Sequence, residues 1–164
     1  MKVAHFYGGQ DIRVEQAPEP VPGPGEVLVR VRAAGVCGSD LHRYRAGRQP
    51  GRRYPYTAGH ELAGEVVALG PKVEGLVLGD RVAIEPLHLI SCGACRWCRQ
   101  GLSEVCPNRG RVDGVARHST GFAEYDVAPA ANCYRLSETL SIEAAAILDV
   151  YSCAVHAAHR VPAR

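Results

Sequence analysis

The stretch CGACRWCRQGLSEVC sets four cysteines, Cys92, Cys95, Cys98 and Cys106, in a C-x2-C-x2-C-x7-C run. No other feature of the chain limits its fold as tightly. Thiolates are soft ligands, and a zinc ion takes four of them in a closed tetrahedron. Gly93 and Gly101 can supply the tight turns that wrap a short loop around an ion. A disulfide cluster is the alternative. The chain has seven cysteines, an odd number, and its start, MKVAHFYGGQ, has no apolar signal core. Both weigh against a fully paired framework in an oxidising compartment. A closed four-sulfur site keeps no open position, so its expected role is structural.

At 164 residues the chain is long enough for one domain with a real core. Hydrophobic residues make up 46% and charged residues 22%, as in an ordinary soluble domain. A formal net charge of +2 is too small to imply nucleic acid. No apolar run reaches transmembrane length. The expectation is a cytoplasmic protein with neither a nucleic-acid nor a membrane partner.

Eighteen glycines and eleven prolines suggest short strands and many turns. MKVAHFY and DIRVEQA read as two strands joined at Gly8-Gly9, and residues 18–26 as a stiff connector. VLVRVRAAGV alternates aliphatic and arginine side chains, the period of a half-buried strand. ELAGEVVALG, GDRVAIEPL and GFAEYDVAP are further strand candidates. Ser39 reads as the N-cap of a helix over DLHRYR. From Ser141 a second helix runs through SIEAAAILDVYSCAVHAAHR, with a break expected at Asp149-Val150. Many short strands followed by a helix predict a mainly β fold, a partly open barrel with peripheral helices. HRVPAR then enters a loop with no closing strand, as at a domain boundary of a longer protein.

A second set of metal-competent residues lies in GVCGSDLH (35–42), GHELAGEVVALGPKV (59–73) and ILDVYSCAVHAA (147–158). Cys37 and His60 form a mixed thiolate and imidazole pair, and Glu61 and Asp149 can add carboxylates. Three protein ligands with one exchangeable position make zinc a Lewis acid. Taken singly, each has a blander reading. A lone cysteine is usually a small core residue, a lone histidine a satisfied or surface one, a lone aspartate a cap. Their occurrence together, beside the cysteine loop, carries the inference.

These segments resemble the zinc-dependent medium-chain alcohol dehydrogenases. GHE-x2-G-x5-G-x2-V, from Gly59 to Val73, is similar to that family's zinc signature. GVCGSDLH resembles its catalytic-zinc cysteine segment, the four-cysteine run its structural zinc lobe, and GDRV at 79–82 is also typical. The resemblance covers essentially all of residues 1–164 and implies a GroES-like catalytic domain with a structural lobe over 88–110. A Rossmann domain that binds NAD or NADP would follow. No G-x-G-x-x-G follows a strand here, so that domain is expected to be missing and the chain alone close to inactive.

The resemblance also implies roles. Cys37 and His60 would ligate a catalytic zinc. Glu61 matches the polyol and threonine branch, where the carboxylate ligates or exchanges with water. Ser39 matches the hydroxyl of the proton relay and His42 the relay histidine. A simple cap and an exposed helix residue are their plainer readings. Asp149 lies where that branch has an acidic residue. Its shorter side chain, and Val150 in place of a frequent proline, leave ligation and substrate orientation both open. Cys153 is a competing ligand, since ethanol-type members use a cysteine nearby. His156 and Cys133 read as packing residues. Gly38 points to the same branch. Five arginines in RYRAGRQPGRRY (43–54) read as a solvated loop, or as a border favouring anionic substrates. The implied function is hydride transfer between a secondary alcohol or polyol and NAD(P), with one catalytic and one structural zinc. A small-molecule alcohol would be the substrate, and the full-length protein would be a homo-oligomer. The rival is a noncatalytic zinc-stabilised scaffold of the same fold. A zinc-free quinone reductase relative is disfavoured by the sulfur lobe and the GHE donors.

Overall fold

The computed structural model describes residues 1–86, 91–108 and 121–161. The glycine pair at 8–9 turns strand β1 (Lys2–Gly8) back into β2 (Asp11–Gln16), with Lys2 opposite Gln16 and Phe6 opposite Ile12. The long strand β3 (Glu26–Gly35) follows the proline-rich connector. After helix α1 (Gly38–Arg45) come β4 (Tyr56–Thr57), β5 (Glu61–Leu69) and β6 (Arg81–Ile84). The cysteine loop carries the short helix α2 (Arg96–Arg99). Strands β7 (Tyr125–Pro129) and β8 (Cys133–Arg135) then precede helices α3 (Ile142–Ala146) and α4 (Leu148–Arg160).

The strands form two antiparallel sheets, ordered β2-β1-β4 and β7-β3-β5-β6-β8. They are the partly open barrel with peripheral helices that the turn-rich sequence predicts. β4 and β8 were not legible in the sequence, because runs of two and three residues are too short for a period to show. The expected strand over 121–129 shortens to Tyr125–Pro129, and GDRVAIEPL to Arg81–Ile84, with Leu87 outside the described residues.

The aliphatic run of β3 buries Val27 and Val29, while Arg30 and Arg32 face solvent. They join Leu62, Val66, Val82, Ile84 and Ala128 in the main core. The next residue on β5, Ala63, points the other way and packs on Ala145 and Ala146 of α3. β5 is therefore buried on both faces. Small side chains on α3 let the helix backbone come close to the sheet. Ser141 caps α3 as expected, its Oγ accepting the Ala144 N–H at 3.1 Å.

Two expected boundaries are corrected. The helix does not break at Asp149-Val150 but at Ile147, with ψ 16°. The alanines of α3 are held on the sheet, whereas no residue of α4 is buried, so the chain redirects where the sheet contact ends. The N-cap of α1 is Cys37, not Ser39. Asp40 Oδ2 accepts the Cys37 N–H at 3.1 Å, which starts the helix at Gly38 and puts Ser39 inside its first turn. Among the described residues, no helix is long and apolar enough to cross a membrane.

Candidate metal centre

Strand pairing builds the first donor group. β3 and β5 run antiparallel, and their register ends with Gly35 opposite Glu61. Cys37 lies two residues past the end of β3, and His60 just before β5, so the pairing brings them to one place. One ligand atom each of Cys37, His60 and Glu61 lies within 4.8 Å of the others. Gly59 secures the approach to His60. Its φ of +93° lies in the left-handed region, and a Cβ there would meet the Phe122 backbone nitrogen at 2.7 Å. Backbone bonds from Gly121 N–H to Gly59 O and from Phe122 N–H to Ala58 O fix this corner.

Glu61 is only 4% exposed and Asp40 2%. Asp40 holds the Cys37 backbone through one oxygen, and its Oδ1 lies 3.6 Å from Arg43 Nη1. Sequence reading missed Asp40; the signal was its place three residues after the cap, the capping-box spacing. Ser39 Oγ is enclosed and has no hydrogen-bond partner among the described residues. His42, three residues further along α1, is exposed. Asp149 is half-buried in the first turn of α4 and lies outside the three-donor group, while Cys153 is exposed. His156 is exposed too, which corrects its reading as a packing residue; the outer faces of α4 are all solvated. Cys133 does pack against the core, and burial pushes its thiol up to about 12. Of the five loop arginines, Arg48 and Arg52 lie over the rings of Tyr54 and Tyr56, 5.0 and 4.7 Å from their centroids. With Arg43 beside Asp40, three of the five are already engaged within the protein.

The second donor group is local. Cys92, Cys95, Cys98 and Cys106 also bring their sulfurs within 4.8 Å of one another. Sγ–Sγ separations are 3.5 Å for Cys95–Cys98 and for Cys92–Cys106. All seven cysteines are free, so the disulfide alternative does not hold. Cys95 opens α2, and the turn places Cys98 beside it. The Cys92 thiol is pulled down to about 6, first by the backbone N–H groups of Ala94 and Cys95 and then by Asn108. Burial and the adjoining sulfurs push Cys98 up to about 11. Four crowded sulfurs cannot all shed protons unless a cation shares their charge. Parts of the expected 88–110 lobe, residues 88–90 and 109–110, lie outside the described residues.

Both sets fit zinc by donor chemistry. The loop offers four sulfurs and a closed site; the mixed group offers thiolate, imidazole and carboxylate and leaves a fourth position. An antiparallel, partly open barrel with a sulfur loop and a mixed-donor corner defines a class of domain with two candidate metal sites. The model of the alcohol dehydrogenase GroES-like domain matches residues 23–138, and the chain belongs to that family. It is 36% identical to the sorbitol dehydrogenase of Bacillus subtilis (strain 168), over 98% of this chain and 45% of the relative. It is 41% identical to the L-threonine 3-dehydrogenase of Pyrococcus horikoshii, over 91% of this chain and 41% of that protein. An alcohol dehydrogenase from E. coli CFT073, solved with cofactor NADH, superposes with a TM-score of 0.83 at 34% identity. That match covers 98% of this chain and 45% of the other. The chain thus spans less than half the length of these relatives.

Proposed function

We propose that the chain is the catalytic part of a zinc-dependent dehydrogenase, moving hydride between a secondary alcohol or polyol and NAD or NADP. The observation that carries this reading is the convergence of Cys37, His60 and Glu61 within 4.8 Å. A scaffold would need the cysteine loop alone. Cys37, His60 and Glu61 would hold the catalytic ion, and Cys92, Cys95, Cys98 and Cys106 a structural one. Zinc in the mixed site would supply Lewis-acid polarisation of a substrate oxygen.

The protein's own groups do the rest. A bound divalent ion would be met by two anionic donors, Cys37 and Glu61, and one imidazole, His60. The enclosed Ser39 hydroxyl, with no hydrogen-bond partner among the described residues, bonds the substrate hydroxyl and accepts its proton while releasing its own towards His42. His42, exposed one helical turn on, passes that proton to water. Asp149, outside the donor group, orients the substrate. The sorbitol and threonine relatives support the polyol branch.

The deciding variant is Cys37→Ser in the full-length enzyme, assayed with sorbitol, threonine and simple secondary alcohols against both nicotinamides. Turnover on every substrate should vanish while metal analysis still finds zinc in the cysteine loop. Undiminished turnover would refute the assignment.

A further inference from the structure

Gly35, the last residue of β3, pairs with Glu61, the first of β5. A Cβ at Gly35 would collide with Glu61 Oε2. It would also lie 3.1 Å from Glu61 Cβ and 3.3 Å from Ile147 Cγ2. All three nearest neighbours are side-chain atoms, so a Cβ there meets side chains first. Gly35 is not among the glycines with positive φ, and its backbone conformation is open to other residues. What the position needs is therefore the missing side chain. Glu61 shares a strand face with Ala63, the face on which α3 packs, and Ile147 closes that side at the α3–α4 break. The carboxylate, 4% exposed, sits in a notch walled by Gly35 and Ile147.

We propose that Gly35 is a positioning residue of the mixed donor group. The space it leaves beside Ile147 admits the Glu61 carboxylate to its place near Cys37 and His60. A methyl group there takes that space, and the carboxylate swings away because it is the movable end of its side chain. The strand end thus controls whether the third ligand is carboxylate. This rests on reading Cys37, His60 and Glu61 as a metal site.

Cadmium NMR of the full chain, with titration of cadmium affinity, tests both layers. The unsubstituted protein should give a resonance that Cys37→Ser removes, beside one from the cysteine loop. Its absence would sink the metal-site reading and the Gly35 inference with it. Given that resonance, Gly35→Ala should move it to the position seen in Glu61→Gln and weaken cadmium binding there about tenfold to a hundredfold. The loop resonance should stay in place, and the circular-dichroism spectrum and urea midpoint should match those of Glu61→Gln, which a general loss of packing would not allow. An unmoved mixed-site resonance with unchanged affinity overturns the inference alone. Should Gly35→Ala fail to fold, Gly35→Ala combined with Glu61→Ala decides. Recovery of the fold supports competition between methyl and carboxylate, and continued failure overturns it.

Discussion

The two donor groups hold similar chemistry by opposite means. The cysteine loop gathers four sulfurs from one short segment, between Cys92 and Cys106, using a helical turn and backbone N–H groups of its own. The mixed group draws on Cys37 and on His60-Glu61, which meet only because β3 and β5 pair in one register. A slip of one residue in that pairing would send Glu61 to the opposite face. A local site tolerates disturbance of the barrel, whereas an assembled site inherits every error of the sheet. The buried Leu62 next to Glu61 on β5 and the crowded Gly59 beside His60 show how much of the core stands behind the three donors.

That contrast can be broken from either side. The largest effect is expected from Cys106→Ser. Cys106 is the buried sulfur of the loop, and losing its metal should cost about 4 kcal/mol, or roughly 10 °C in Tm. Calorimetry with and without a chelator checks it: the chelator should lower the Tm of the parent protein by more than that of the variant, which has only the mixed-site metal to lose. If the loop is independent, the mixed site should keep its cadmium resonance.

Leu62→Ala attacks the barrel. Leu62 is 1% exposed within the main core, and a cavity there should cost about 3 kcal/mol in urea unfolding. Metal affinity at the mixed site should fall, because Leu62 and Glu61 are neighbours on β5, while the loop keeps its metal. Equal weakening of both sites would dissolve the distinction.

Gly59→Ala is a narrower probe. A positive φ and contact with the Phe122 backbone together predict about 2 kcal/mol of destabilisation. Circular-dichroism melts measure the loss, and metal titration should place it at the mixed site.

The smallest effect concerns Cys133. Its thiol is pushed up to about 12, chiefly by burial and then by Asp126, so the fold favours the protonated form. Protonation is complete in both folded and unfolded chains at neutral pH, and no stability is at stake there. The contribution declines as pH rises from the ordinary thiol value of 9.0 towards about 12. Iodoacetamide at mildly alkaline pH should label the exposed Cys153 and spare Cys133, as mass spectrometry of peptides would show.

Much of this was readable from residue order. Gly8-Gly9, the alternation of β3 and the cap at Ser141 act over a few residues, and local steric and hydrogen-bonding rules are enough to place them. The start of α1 was misplaced because the candidate cap Ser39 outshone the longer-range clue, Asp40 reaching back to Cys37. The α3–α4 break was misplaced because its cause is contact with the sheet, and contact leaves no mark in propensity.

Spacing by itself determined the cysteine loop, since a few residues of backbone can reach around an ion whatever the rest of the chain does. Residue types likewise set the donors that could make an open zinc site. Only the tertiary structure decided that Cys37, His60 and Glu61 meet, that Asp149 stands apart, and that Gly35 leaves the carboxylate its room. Those outcomes depend on strand register and on which face of β5 each side chain takes. Register is settled by burial of the whole core, a property no single segment carries.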